Sequence, residues 1–216
     1  MILDTSNAMC QNQSIRNFMC NAYSYCRERE TEIRDIFKNW KDDAMIRLNR
    51  DLEGKILDIG GGGEGVIGRL YQERVVAVDC CQKELDDAPD GFEKVLMDAT
   101  NLQYADGAFD HVTFFFSLMF MGEKEQRKAV REAARVLKEG GGVHIWDCDI
   151  ASAYPEPFCV DVAVQLPDVS ISTTYGVGKR DAQDISSITK MCEDAGLAVV
   201  TRSEEKNYFH LVMRRI

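Results

Sequence analysis

Basic residues are in short supply in this 216-residue chain: 26 Lys and Arg stand against 36 Asp and Glu, a formal net charge of −10. A general nucleic-acid binder takes its affinity from a basic face that neutralises phosphates, so that class is not expected. Long apolar runs are also missing, and the longest, Val112 to Met121, is broken by Thr113 and Ser117 and is too short to span a bilayer. There are only 4 prolines, no internal repeat, no low-complexity tract and no Pro/Gly/Ser linker, which points to one globular domain with an amino-terminal extension. The opening residues MILDTSNAMCQNQS carry Asp4 and have neither a basic start nor a sustained apolar core. They do not read as a secretory signal, and a cytoplasmic location is expected. Among 8 cysteines there is no Cys-x-x-Cys pair, and the only close pair is Cys80-Cys81. Neither a disulfide framework nor a metal site is expected, and the thiols read as reduced. Cys10, Cys20 and Cys26 could close over a site from the amino-terminal segment.

From Arg27 to Arg50 the residues Ile33, Ile36, Phe37, Trp40 and Ala44 recur at three- and four-residue steps, which predicts an amphipathic helix. Residues 1–50 are accordingly read as a helical extension or lid, and 51–216 as the main domain. Beyond Arg50, short apolar runs alternate with helical stretches. Strands are predicted at Lys55 to Ile59, Arg74 to Asp79, Phe92 to Met97, Phe109 to Phe116 and Gly142 to Asp147. Helices are predicted at Glu64 to Glu73 and at Lys124 to Leu137, the latter ended by Gly140. Such alternation predicts an α/β fold, a parallel sheet with helices on both faces. Val160, Val162, Val164 and Leu166 alternate with polar or small residues, Pro167-Asp168 makes a turn, and Val169 and Ile171 resume the pattern, so a β-hairpin insertion is expected at about 160–174. Asp181 and Asp184 open a further helix closed by Gly196. Leu197 to Arg202 and Tyr208 to Arg214 then form an antiparallel pair.

The densest chemical signal is Ile56-Leu-Asp-Ile-Gly-Gly-Gly-Gly-Glu-Gly65, a buried strand leading through glycines into a helix. Glycines there permit positive φ and close approach of a ligand to the backbone, at the strand end where open α/β sheets bind ligands. The spacing Gly60-x-Gly62-x-x-Gly65 also fits a dinucleotide site. Charge favours another ligand: Glu64 is expected at the positive end of the helix, where a pyrophosphate would otherwise sit, and Asp58 adds a second acid. Two carboxylates suit a cationic ligand. Asp79 ends the second strand at the distance from Gly60 where a carboxylate takes both ribose hydroxyls.

Leu96-Met-Asp98-Ala-Thr100, Ala108-Phe-Asp110-His-Val112 and Val136-Leu-Lys-Glu-Gly140 follow in order. With them, residues 55–149 resemble the class I S-adenosylmethionine-dependent methyltransferases, especially the small-molecule group. The resemblance implies a Rossmann-like, doubly wound, seven-stranded and mostly parallel sheet with an antiparallel last strand. It implies S-adenosyl-L-methionine as cofactor, a small-molecule acceptor as partner, and methyl transfer by in-line displacement. Asp58 and the backbone of Gly60, Gly61 and Gly62 would hold the methionine part, and Asp79 the ribose. Asp98 and the Ala99 amide would meet adenine, Cys80 would line its side, and Phe115 and Phe116 would close the pocket. Glu64 stands where the family usually has its third glycine. Asp147, at the end of the fifth strand, is the candidate base or holder of a cationic acceptor. Trp146 and Tyr175 are the candidate acceptor contacts, His144 reads as packed inside the strand, and Tyr23 and Tyr25 are candidate lid residues. The competing readings are an NAD(P)-linked oxidoreductase and a cofactor-binding regulatory module without catalysis. No Asn-Pro-Pro-aromatic or Pro-Cys motif of base-methylating enzymes is present.

Overall fold

The computed structural model describes residues 39–151, 158–177 and 181–216. Cys10, Cys20, Cys26, Tyr23, Tyr25 and the first part of the predicted amino-terminal helix lie outside them. Strands β2 (Ile56–Ile59), β3 (Val75–Asp79), β4 (Glu93–Leu96), β5 (Phe109–Phe115) and β6 (Leu137–Asp147) run parallel. With β9 (Leu197–Glu204) and β10 (Phe209–Arg215) they form a seven-stranded sheet in the order β4-β3-β2-β5-β6-β10-β9. β10 is antiparallel to both of its neighbours, so the expected antiparallel pair of the last two strands and the antiparallel last strand implied by the resemblance are both found.

The two faces are built from the two sets of alternating side chains along each strand. Leu57, Ile59, Val112, Phe114, Val143 and Ile145 point to one face. Two helices cover it: α3 (Glu123–Val136), through Ala129, Val130, Ala133 and Val136, and α4 (Ile185–Asp194), through Ile185, Ile188 and Cys192. That spacing places the buried residues of each helix on one stripe. α4 begins where Asp184 accepts from the Ser187 amide at 2.6 Å, and it closes at Gly196, whose φ of +85° suits a residue without a Cβ.

The opposite face differs from the expected all-helical cover. It is packed by the short α1 (Val66–Tyr71) together with a second sheet of three strands, β1 (Asn39–Arg47), β7 (Phe158–Gln165) and β8 (Ser170–Val177), in the order β1-β7-β8. β7 and β8 are the predicted hairpin, longer by a few residues, so that Tyr175 lies within β8. β1 corrects the helix predicted over Arg27 to Arg50: Asn39–Arg47 is a strand, paired in parallel with β7. Ala44, Ile46 and Leu48 are buried while Met45 and Arg47 are exposed, a period of two that serves a half-covered sheet. Val160, Val162 and Val164 of β7 pack into the same core with Ile67, Leu70, Phe115 and Trp146. The hairpin is therefore part of the core and not a detachable insertion. Gly140 also departs from its predicted place. α3 ends at Val136, β6 starts at Leu137, and Gly140 supplies a left-handed residue inside the strand. Among the described residues no helix is long and apolar enough to cross a membrane.

Candidate functional site

The carboxyl ends of β2, β3 and β4 lie side by side, and each ends near an acid. Between β2 and α1 the loop 60–65 takes positive φ at Gly60, Gly63 and Gly65, at 76°, 61° and 55°. Its backbone is pinned from below and from the side: Gly60 N donates to Val78 O at 2.8 Å and Gly63 N to Glu84 O at 2.7 Å. Side chains are excluded by contact as well as by φ. A Cβ on Gly60 would lie 2.5 Å from Ser117 Cβ, and one on Gly62 would lie 2.6 Å from Glu84 Cβ and 3.0 Å from Asp79 Oδ2. The glycines are thus required where the loop meets β5, Asp79 and α2 (Gln82–Asp87).

Asp58 lies directly under this loop, 2% exposed, and a Cβ on Gly61 would fall 2.5 Å from its Oδ2. Thr113, its register partner on β5, donates to Oδ1 at 2.7 Å. Burial pushes the Asp58 carboxyl up to about 7, the Thr113 hydrogen bond opposes the rise, and the nearby charge of Asp79 adds to it. Asp79 is half-buried and accepts from the Cys81 amide at 2.9 Å, and Asp98 accepts from the Thr100 amide at 2.8 Å. In both, a short turn fixes the carboxylate at the strand end. Ala99 is buried beside Asp98. Cys80 is exposed, and it is the next residue, Cys81, whose amide is held against Asp79.

The aromatic residues divide between two places. Phe116 is buried with φ of +49°, and the Tyr175 ring stacks on it at 5.3 Å and 16°. Phe115 packs on Phe116 at 5.2 Å and on Trp146 at 5.9 Å. Trp146 is drawn away from the loop, its ring stacked on His210 at 4.3 Å and 8°. It lines a cleft of about 370 Å³ with His144, Leu48, Leu70, Tyr71 and Tyr208. His144 is packed as expected, with its Nε2 3.2 Å from His111 Nδ1. Burial, reinforced by its neighbours His111 and His210, holds its imidazole down at about 3, and burial holds His210 at about 4.

Two carboxylates are engaged otherwise than the sequence suggested. Asp147 is fully buried. Its Oδ2 accepts from the Met119 amide at 3.1 Å, and its Oδ1 accepts from the Cys148 amide at 2.8 Å and from Gln183 Nε2 at 2.9 Å. These bonds fasten the end of β6 to the segments before α3 and α4. The geometry makes Asp147 a clamp of the scaffold and gives it no open face toward an acceptor. Glu64 precedes α1 and its carboxylate reaches β8, accepting from Thr173 Oγ1 at 2.5 Å and from Tyr175 OH at 3.4 Å. The first turn of α1 contains no acid, so the electrostatic argument against a pyrophosphate rests on Asp58 alone.

Sequence reasoning overlooked Thr113 and Ser117, noting them only as breaks in an apolar run. Ser117 donates to Ile59 O at 2.7 Å beneath Gly60, and Thr113 holds Asp58. The signal was a polar residue breaking the apolar run from Val112 to Met121.

A family model described as a methyltransferase domain matches residues 57–145. The chain is 29% identical over 170 residues to methyltransferase GfsG of Streptomyces halstedii, covering 70% of this chain and 55% of that protein. It is 31% identical over 110 residues to demethylmenaquinone methyltransferase of Paenarthrobacter aurescens (strain TC1), covering 48% of this chain and 42% of that protein. The chain thus spans about half the length of the curated relatives it matches. A solved SAM-dependent methyltransferase from Methanosarcina mazei has the same fold, with a TM-score of 0.56 at 14% identity over 86% of this chain and 97% of that one. The matched segment begins one residue before Asp58 and ends one residue before Trp146, taking in the glycine loop and all three acid-ended strands. Over residues 57–145 the chain is thus similar to the methyltransferase domain, and its fold is that of a solved S-adenosylmethionine-dependent methyltransferase.

Proposed function

We propose that this chain transfers the methyl group of S-adenosylmethionine to a small-molecule acceptor. The observation that carries the reading is the cradle at Gly60–Gly62. It has no room for a Cβ at Gly60 or Gly62, lies over the buried Asp58 and abuts Asp79. The residues present fit the donor. Asp58, beneath the loop, would face its ammonium group, and Asp79 would take the ribose hydroxyls. Asp98 would accept from the adenine amino group beside the Ala99 amide. A sulfonium donor when bound supplies an already activated methyl, so that an acceptor lone pair forms the new bond while the carbon–sulfur bond breaks with its electrons staying on sulfur. The chain's own task is then alignment and exclusion of water. The glycine loop orients the donor from the β2 side, and the wall of Phe116 and Tyr175 excludes water on the acceptor side. We assign no general base: Asp147 is occupied in holding β6.

The test is binding followed by turnover. S-Adenosylmethionine at a hundredfold excess over its dissociation constant should add about 2.7 kcal/mol of stability, seen as a rise in melting temperature, while NAD and NADP leave it unchanged. Labelled donor offered with a pool of small molecules should then yield labelled product. Stabilisation by NADH and none by the methyl donor would refute the reading.

A further inference from the structure

One side chain joins the glycine loop to the hairpin. Glu64 sits between Gly63 and Gly65, both left-handed, and its carboxylate reaches β8. There it accepts from Thr173 at 2.5 Å and Tyr175 at 3.4 Å. Thr173 and Tyr175 are two apart on a strand, so both hydroxyls rise from the same face and reach one carboxylate. Tyr175 in turn lies flat on Phe116 and meets Phe120 edge-on at 6.4 Å and 79°. Phe116 leads into Ser117, which holds Ile59 O and touches the place a Gly60 Cβ would occupy. The contacts form a closed ring: glycine loop, Glu64, β8, the end of β5, and the loop again.

We propose that Glu64 is a positioning residue that couples the donor half of the site to the acceptor half. A donor held by Gly60–Gly62 orders Glu64, and Glu64, through Thr173 and Tyr175, sets the aromatic wall of Phe116, Tyr175 and Phe120 against which the acceptor is aligned. The inference rests on the methyl-donor reading above. Hydrogen bonds to a carboxylate are stronger than neutral ones, so this link can transmit order across the ring. The coupling is reciprocal: loosening the hairpin loosens the loop.

Hydrogen exchange of the full chain tests both directions. In the unaltered protein and in Glu64→Gln, which keeps an acceptor oxygen, S-adenosylmethionine should slow exchange in peptides covering 60–65 and in those covering 170–177. In Glu64→Ala the loop should still be protected by the donor while 170–177 loses its protection. Without donor, Thr173→Val with Tyr175→Phe should speed exchange at 60–65 by about tenfold, with peptides of α3 unchanged, a pattern that general destabilisation would not produce. Equal donor protection of 170–177 in Glu64→Ala, or an unmoved loop in the double variant, overturns the coupling. A donor that fails to protect 60–65 in the unaltered protein overturns the donor reading and the donor-driven coupling together. A protected loop beside an unmoved hairpin overturns the coupling alone.

Discussion

Thr113 donates its hydroxyl to the carboxylate of Asp58 at 2.7 Å, from the neighbouring strand and on the covered face of the sheet. This is the polar contact that makes a buried acid tolerable under a glycine loop, and it leaves Asp58 titrating at about 7. A cationic group above the loop selects the ionised form. Donor affinity should therefore rise with pH through about 7 and fall below it, by at most about tenfold per pH unit. Calorimetry from pH 6 to 8 would show this slope in the unaltered protein and its loss in Asp58→Asn. A flat profile in the unaltered protein would remove Asp58 from the donor's ammonium end.

Asp79 and Gly62 meet at the same point, since a Cβ on Gly62 would lie 3.0 Å from Asp79 Oδ2. Asp79→Ala should weaken donor binding by roughly 1.5 to 3 kcal/mol, the range for hydrogen bonds to a charged group. Gly62→Ala should also weaken binding, because the new methyl displaces either Glu84 or Asp79. Folded variants of both kinds that bound as tightly as the parent would show that the ribose lies elsewhere.

All three histidines of the sequence, His111, His144 and His210, fall in one column with Trp146. His144 and His210 stay neutral in the fold down to about 3 and about 4, whereas in the unfolded chain they take up protons near 6.5. The unfolded state binds more protons below that value, so these groups make stability fall as pH drops from about 6.5 toward 4. Asp58 works in the opposite sense, holding its proton in the fold between 3.8 and about 7. His210→Phe preserves a flat ring on Trp146 and removes one titration. Urea midpoints should then decline less steeply between pH 6.5 and 5 than in the parent, and parallel declines would contradict the assignment.

The register of β1 makes neighbouring residues unequal. Ile46, 1% exposed, faces the second core, and Met45, 59% exposed, faces outward. Ile46→Ala should cost about 2 to 5 kcal/mol in equilibrium unfolding, the range for truncating a buried aliphatic side chain. Met45→Ala should stay within about 0.5 kcal/mol. Similar costs at both positions would contradict the strand.

The parallel sheet could be read from the sequence because its central strands are covered on both faces and show as unbroken apolar runs closed by glycines and acids. The acids at 58, 79 and 98 were visible because each stands within two residues of the carboxyl end of a strand. What escaped depended on partners far along the chain. Asn39 pairs with Phe158, and the helical spacing of Ile33 to Ala44 concealed the alternation of Ala44, Ile46 and Leu48 that decides β1. Glu64 looked like a helix-end charge because its partner, Thr173, is 109 positions away. Asp147 looked like a free acid at a strand end because Gln183, which fills its oxygen, comes from the entry to α4.

β10 lies between β6 and β9 in the sheet although it follows both in the chain. As the polypeptide emerges from the ribosome, at about 5 to 20 residues per second, β6 and β9 are both made before the strand that must separate them. Until Phe209–Arg215 arrives, β6 carries an open edge able to pair with another nascent chain. Closing the sheet is therefore a late step in biogenesis, and a chain stalled before Phe209 would be the species most prone to associate with its neighbours.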